Sequence, residues 1–245
     1  MKLTNLLKPS RYIGYGEFIL LSVRKIHRDA RPSFSQAGED LLIRFAFRFL
    51  NITQPTYLDI GAHHPTNLSN TFNFYQNGSH GVCVEPNPTL AKLFRQKRPR
   101  DTVLEVAIGP AKGETVLHIV SDNALSTTSS TQAQYFSGTS KHHIAKEIRV
   151  PTRTIMDVLS EYFPATPPDL ISLDIEGMDL EVLKSFDFTK CRPPVFCVET
   201  LTYDETKAIH KIPEIIEYMT SHDYFVFADT YLNTIFIDKK RWDAR

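Results

Sequence analysis

Short apolar runs alternate with amphipathic segments along most of this chain. Apolar runs bounded by Gly, Pro or Asn are typical of buried strands, whereas apolar residues three and four positions apart are typical of helices. The first pattern predicts strands at 56–60, 81–85, 102–106, 113–120, 170–173, 194–198, 224–228 and 232–237. The second pattern predicts helices after Gly38 and over 69–76, 90–98, 154–162, 178–186 and 213–221.

The order of these elements predicts the fold class. Strand–helix–strand repeats with short strands indicate an α/β domain, in which crossover helices join the strands of a parallel sheet. The last two strands are separated by a short connection and are expected to pair in an antiparallel manner. No internal repeat or shift of composition indicates a second folded domain, so residues 34–245 are interpreted as one domain. Ser121–Ser140, which is rich in Ser and Thr, is interpreted as a long functional loop.

Residues 1–33 differ from the rest of the chain. They carry seven basic residues against Glu17 and Asp29, around an apolar run at 18–21. We expect a basic helical arm that packs on the domain or on a second subunit, and peripheral contact with an anionic membrane surface is the alternative. No run of 18 apolar residues predicts a membrane span, and no signal peptide is recognised.

Charge and cysteine content narrow the classes of partner and compartment. The 28 basic and 28 acidic residues give a formal net charge of zero, so we expect no nucleic-acid partner. The cysteines Cys83, Cys191 and Cys197 form no CxxC pair, and two of them lie in apolar runs. They indicate no disulfide framework, so a reducing, cytoplasmic compartment is expected.

The first candidate site is the end of the strand at 56–60, where Asp59 and Gly61 occur. The carboxyl ends of parallel strands form the crevice in which α/β sheets bind ligands, and a glycine there lets a ligand approach closely. The single glycine is not the three-glycine dinucleotide fingerprint, which disfavours a pyrophosphate cofactor such as NAD. A nucleoside with a charged amino-acid tail and no phosphate fits better, with Asp59 facing the ammonium group of the tail.

The second candidate is Glu85, which ends the strand at 81–85 and is followed by Pro86. An acid in this position can accept hydrogen bonds from both hydroxyls of a ribose. The alternative is a solvated glutamate at a strand end. The joint occurrence of Asp59 and Glu85 on successive strands favours the nucleoside site.

Three further acids follow later strands: Asp174 and Glu176 come after the strand at 170–173, and Glu199 follows 194–198. Their first-ranked role is to position a substrate hydroxyl or to take its proton. Binding of Mg²⁺ or Mn²⁺ by Asp174 and Glu199 ranks second. The third is structural, with Asp174 capping the next helix and Glu199 bonding backbone amides. No His or Cys cluster has the spacing of a zinc site.

Six motifs make the sequence resemble the FkbM-type S-adenosylmethionine (SAM)-dependent methyltransferases, from about Phe34 to Ile237. They are Ser35–Asp40, Tyr57–His63, Val84–Pro88, Ala107–Gly109, Leu173–Gly177 and Phe196–Glu199. The first and fifth are fairly specific in combination, whereas the glycine motif at Tyr57–His63 is shared by many methyltransferases.

The resemblance implies a Rossmann-like seven-stranded sheet, mostly parallel with an antiparallel C-terminal strand, and helices on both faces. It implies O-methylation of a sugar hydroxyl, on a nucleotide-linked sugar, a glycan or a glycolipid. It also implies that SAM is held by Gln36, Glu39, Asp59, Gly61, Ala62, Glu85, Pro86 and Ala107. Some relatives have a catalytic histidine where Gly177 stands here, so the base is left among Asp174, Glu176 and Glu199.

The alternative to an enzyme is a non-catalytic protein. A non-catalytic nucleoside-binding or assembly protein on the same fold would have lost one or more of the crevice acids. Asp59, Glu85, Asp174 and Glu199 are all present, which favours the enzyme. The expected partner is a small-molecule or glycan acceptor, and the sequence leaves a homo-oligomer open.

Overall fold

The computed structural model describes residues 31–121, 126–130, 133, 143–203 and 209–245. The helices are α1 (Glu39–Phe49), α2 (Phe72–Gln76), α3 (Pro88–Lys97), α4 (Ile155–Tyr162), α5 (Asp179–Lys184), α6 (Pro213–Ser221) and α7 (Lys239–Asp243). The strands are β1 (Tyr57–Ile60), β2 (Gly81–Val84), β3 (Thr102–Leu104), β4 (Ala107–Ile108), β5 (Gly113–Val120), β6 (Ile144–Arg153), β7 (Leu170–Leu173), β8 (Val195–Glu199), β9 (Leu201–Tyr203), β10 (Ile209–Lys211), β11 (Tyr224–Asp229) and β12 (Asn233–Asp238).

The central sheet has seven strands in the order β11–β12–β8–β7–β1–β2–β3. The five strands from β8 to β3 run parallel, and β12 is antiparallel to both of its neighbours, β8 and β11. The expected sheet is therefore confirmed. The order of the strands along the chain reverses between β1 and β7, and such a reversal opens a crevice at the carboxyl ends of the strands.

Both faces of the central sheet are covered. Side chains alternate between the faces because the side-chain period of a strand is two. Leu58 and Ile60 of β1 pack with α4, α5 and α6 on one face. Tyr57 packs on the other face with α1, α2 and α3. Every residue of β1, β2 and β7 is buried, which explains why these strands are mostly apolar and do not alternate between apolar and polar residues.

A second, three-stranded sheet in the order β4–β6–β5 was not predicted as such. The segment of β6 mixes Lys146, Glu147 and Arg149 with apolar residues and has a single buried residue among its ten, so it has no apolar run to mark a strand. The strand predicted over 102–106 is also shorter, because β4 leaves the central sheet to pair with β6. The small β9–β10 hairpin was missed as well.

Two other predictions have different outcomes. The helix expected over 69–76 begins only at Phe72, because Leu68 has a left-handed φ of 54° and Ser69 and Thr71 are buried in hydrogen bonds. Of the loop expected at Ser121–Ser140, the structure describes Ser121, 126–130 and Ala133, and the remainder lies outside the described residues.

Phe34–Arg245 make up one compact unit. The basic arm expected over residues 1–33 lies, apart from 31–33, outside the described residues, so it stays a prediction. No helix among the described residues combines the length and the hydropathy of a membrane span. Cys83, Cys191 and Cys197 are buried free thiols.

We expect Gly61→Ala to destabilise the protein for two reasons. Gly61 has a φ of 75°, and a Cβ there would overlap the backbone carbonyl oxygen of Asp174. The loss of unfolding free energy should exceed the about 1–3 kcal/mol that a left-handed residue alone costs. Urea unfolding followed by circular dichroism measures this loss.

Gly38→Ala is the matched control for this substitution. Gly38 has a φ of 92° but an added Cβ would meet nothing within 4 Å, so only backbone strain of about 1–2 kcal/mol is expected. Equal losses in the two variants would contradict the close approach of Gly61 to the end of β7.

Candidate active site

The pairing register of β1, β2, β7 and β8 aligns the residues at their carboxyl ends in one row across the sheet. In spatial order the row is Glu85, Gly61, Asp174 and Glu199. Backbone hydrogen bonds extend the sheet into this row, from Gly61 N to the Val84 oxygen and from Asp174 N to the Ile60 oxygen, both at 3.1 Å. The backbone of the sheet therefore fixes the spacing of the three acids, with a glycine between the first two.

The row borders an open cavity that encloses about 1090 Å³ including its mouth. Eight residues that the sequence singled out line it: Gln36, Gly61, Glu85, Pro86, Ala107, Asp174, Glu176 and Glu199. The apolar part of the wall includes Ile60, Val84, Val106, Ile108, Leu117 and Ile175. None of the described lining residues is a lysine or an arginine, so the cavity combines an apolar wall with an acidic one.

Glu85 is held rigidly by the backbone. One carboxylate oxygen accepts the His63 amide at 2.8 Å and the other accepts the Asn87 amide at 2.7 Å. Burial raises the pKa of Glu85 to about 8, although the two amide hydrogen bonds favour the ionised form. Each carboxylate oxygen keeps a further lone pair for a ligand hydroxyl. Glu85 therefore lies at the cavity, where its position at the end of a strand predicted it.

Asp59 and Ala62 lie behind the cavity wall. Asp59 is 4 % exposed and its Oδ2 accepts the Thr71 hydroxyl at 2.5 Å. Burial raises the pKa of Asp59, while the charge of Arg98 and the hydrogen bond from Thr71 oppose the rise. Ala62 is buried with the core that packs on α1 and α3. Neither residue lines the cavity of this structure, so their role in cofactor binding stays a prediction.

Gln36 and Glu39, expected together at the cofactor, have separate places. Gln36 lines the cavity, whereas Glu39 is fully buried at the start of α1. The Glu39 carboxylate accepts hydrogen bonds from Ala37 N, Thr230 Oγ1 and Asn233 Nδ2 at 2.8–3.0 Å. Burial would raise the pKa of Glu39, but these hydrogen bonds together lower it. Glu39 therefore fixes the turn that carries Gln36.

Asp174, Glu176 and Glu199 form a carboxyl cluster, with one oxygen of each lying within 4.8 Å of the others. Burial raises the pKa of Asp174 to about 6, and a hydrogen bond from Glu199 opposes the rise. The pKa of Glu199 lies well above its usual value because of burial and the charge of Asp174. Because the two carboxyl groups are coupled, an ionised Asp174 that accepts a hydrogen bond from a protonated Glu199 is the favoured arrangement.

The turn after Asp174 is fixed by a residue that the sequence did not single out. Asp179, at the start of α5, accepts the amides of Ile175 and Gly177 at 3.1 and 3.3 Å. It holds Glu176 in the left-handed region, at a φ of 53°. No side chain caps the N-terminus of α5, so the capping role considered for Asp174 is not observed. An acid in the first turn of a short helix was the only available signal for Asp179.

The segment Ser126–Thr128 closes one side of the cavity and lies within the predicted loop. Thr127 bridges to the backbone of His118 in β5, and its hydroxyl donates to the Glu176 carbonyl oxygen at 3.0 Å. The hairpin of the second sheet is thereby attached to the carboxyl cluster. No periodicity marks this contact, so the sequence did not predict it.

The family is established by the match of a sequence model for the methyltransferase FkbM domain to residues 59–226. The match spans more than half of the chain, which therefore belongs to the FkbM methyltransferase family. The predictions of the family and of the enzyme class, a SAM-dependent methyltransferase, are confirmed. The sequence has no match among curated proteins.

Several solved structures are similar in fold. A putative caffeoyl-CoA O-methyltransferase from Staphylococcus aureus is 10% identical over 94% of this chain and 98% of its own, with a TM-score of 0.46. A TehB-like SAM-dependent methyltransferase from Corynebacterium glutamicum is 11% identical over 95% and 100%, with a TM-score of 0.42. An O-methyltransferase from Bacillus cereus in complex with SAH is 10% identical over 96% and 93%, also at 0.42. Likeness at this level carries no argument about substrate.

We expect Glu85→Gln to weaken SAM binding by about 10–100-fold, a loss of roughly 1.4–2.8 kcal/mol, which is typical of leaving a buried hydrogen-bonding group without its partner. The glutamine has one side-chain oxygen, which can accept only one of the amides of His63 and Asn87 in the place that each now occupies. Its NH2 group would face the remaining backbone amide, donor against donor. Isothermal titration calorimetry with SAM measures the affinity. Glu105→Gln is the control, because Glu105 is exposed and pairs only with Arg95 among the described ion pairs. Equal affinity in both variants would rule out Glu85 as a cofactor ligand.

Proposed function

We propose that this methyltransferase transfers the methyl group of SAM to a hydroxyl of a sugar, and that the row of acids at the strand ends binds both substrates. The observation that carries the proposal is this row itself: Glu85 on one side of Gly61, and Asp174 and Glu199 on the other, all lining one cavity. Glu85 would take the cofactor side and the carboxyl pair the acceptor side.

The residues present fit SAM. Glu85 is preorganised by two backbone amides to accept the ribose hydroxyls. Ala107, Ile108 and Leu117 supply an apolar wall suited to a purine ring. The acidic lining favours a ligand that carries positive charge on its sulfonium and ammonium groups. When bound, SAM supplies an activated methyl group, so the task left to the protein is chiefly to orient the acceptor.

The carboxyl pair can orient a sugar and take its proton. Asp174 and Glu199 lie side by side at the cavity, and carboxylate oxygens are strong acceptors for hydroxyl hydrogens. Glu199 holds the proton of the pair and donates a hydrogen bond to the ionised Asp174, so Asp174 is the group that accepts the proton of the attacking hydroxyl. A positioned base typically adds about 10²–10⁴-fold to the rate.

A divalent cation is the second candidate for the same cluster. Asp174, Glu176 and Glu199 offer three carboxylate oxygens, the ligand type that Mg²⁺ and Mn²⁺ prefer. A cation would occupy the space between the carboxyls and replace the shared proton. The hydrogen bond from Glu199 to Asp174 favours a proton over a cation between these carboxyl groups. Removal of metal ions with a chelator distinguishes the two alternatives.

The pH dependence of kcat tests the role of the carboxyl pair. Burial raises the pKa of Asp174 to about 6, so the rate should fall as the pH drops through that value and Asp174 gains a proton. Glu199→Gln keeps a donor to Asp174 and should retain part of the activity. Glu199→Ala removes the donor, so the acidic limb of the profile should move to higher pH. Asp174→Asn should lose at least about 10²-fold in kcat.

The substrate for these measurements is chosen from a panel of neutral glycosides, amino sugars and nucleotide-linked sugars, assayed by the SAH released from SAM. Activity that survives EDTA agrees with the shared proton. Loss of activity in EDTA, with recovery on addition of Mg²⁺, would contradict it and support the metal. Methylation of none of the sugars, with SAM bound, would contradict the proposed acceptor class.

We expect Thr127→Val to raise the KM for the acceptor several-fold and to leave the affinity for SAM unchanged. The substitution removes the hydroxyl that attaches the Ser126–Thr128 segment to Glu176 but keeps the volume of the side chain. Steady-state kinetics at saturating SAM measure the change. Thr127→Ser retains the hydroxyl and should behave as the unmodified protein. A weaker affinity for SAM in Thr127→Val would count against an acceptor role for this segment.

A further inference from the structure

Arg98 is a fully buried arginine that does not line the cavity. It follows α3, and its Nε donates to Asp101 Oδ2 at 2.6 Å, with both side chains 0 % exposed. Asp101 also accepts the Tyr57 hydroxyl at 2.8 Å and the Gly81 amide at 2.9 Å. The Asp101 carboxylate is thus satisfied near the amino ends of β1, β2 and β3.

The other nitrogens of the guanidinium reach the chain segment that follows the cofactor motif. Nη2 donates to the hydroxyls of Tyr57 and Thr71, both at 2.9 Å. Nη1 donates to Ser69 Oγ at 3.3 Å and to the Pro65 carbonyl oxygen at 3.4 Å. Three of these four contacts therefore hold residues 65–71.

Residues 63–71 connect Arg98 to the cavity at one end and to the buried Asp59 at the other. At one end His63 lines the cavity and donates its amide to Glu85, and Leu68 lines the cavity while 50 % exposed. At the other end the Thr71 hydroxyl, which accepts from Arg98, donates to Asp59. Arg98 therefore touches neither the cavity nor Glu85, yet it holds the chain that touches both.

A buried ion pair contributes little net stability, because desolvation costs several kcal/mol per ion and apolar residues in the same place often give an equally stable protein. The planar fork of an arginine offers five donors in fixed directions, which lysine does not. Here the fork gathers one carboxylate, three hydroxyls and one carbonyl oxygen from separate parts of the chain. That geometry specifies a position for residues 65–71.

We infer that Arg98 is a positioning residue for SAM binding: by holding residues 65–71 and Thr71 it fixes the wall of the cavity that carries His63 and Leu68. The inference rests on SAM occupying the cavity as proposed above. If so, loss of the hydrogen bonds of the Arg98 guanidinium should lower the affinity for SAM and leave the KM for the acceptor unchanged.

The first test is Arg98→Lys, which keeps the charge and loses the fork. The expected result, by calorimetry with SAM, is at least about tenfold weaker binding, in the range that a small misplacement of a site produces. The KM for the acceptor at saturating SAM should stay unchanged. Arg192→Lys is the matched control, because Arg192 also forms a 2.6 Å ion pair, with Asp238, at the amino end of β8. It should lower the melting temperature without changing SAM affinity.

Thr71→Val provides a second test that does not depend on Arg98→Lys folding. It removes the hydroxyl between Arg98 and Asp59 while keeping the shape of the side chain, and should also weaken SAM binding. Thr71→Ser should restore it. Unchanged SAM affinity in folded Arg98→Lys, or in folded Thr71→Val, would overturn the inference and leave the cofactor site standing. Absence of SAM binding by the unmodified protein would overturn the cofactor site and the inference together.

Discussion

The rest of this structure depends on one constraint: a row of carboxyl groups, with Glu85 buried and Asp174 and Glu199 half-buried, lines a cavity whose described residues include no arginine or lysine. The parallel register brings Glu85, Asp174 and Glu199 to the same level of the sheet. Burial opposes their ionisation and raises the pKa of each. Two backbone amides bind the Glu85 carboxylate, and a hydrogen bond from Glu199 favours the ionised form of Asp174. A positively charged ligand would relieve the remaining repulsion.

The buried positive charge of Arg98 lies outside the cavity. Arg98 lies beneath residues 65–71, paired with Asp101 and facing the rings of Tyr57 and Tyr75. A cation in the cavity would neutralise the acids and compete with the sulfonium of SAM. From its buried position Arg98 opposes the rise that burial causes in the pKa of Asp59. Its guanidinium also donates the hydrogen bonds that hold residues 65–71. The chain is neutral overall, but its cavity is acidic.

The sequence was sufficient to predict the central sheet because its inner strands are buried on both faces and mostly apolar, as in β2 and β8. It also placed Glu85, Asp174 and Glu199, since an acid directly after such a run must lie at the crevice. It did not reveal β6, which has only one buried residue and therefore no apolar run. The sequence also did not distinguish Asp59 from the acids that reach the cavity. Asp59 lies in β1, two residues before Gly61, and is covered by Thr71. Arg98 carries no signal in sequence, because its partners are brought together only by the fold.

The most direct test of the central claim is a crystal structure of the protein with S-adenosylhomocysteine. We expect the ribose hydroxyls on the Glu85 carboxylate, the adenine against Ala107 and Ile108, and the sulfur on the side of Asp174. A nucleoside bound elsewhere, or a ribose that leaves Glu85 without contact, would contradict it.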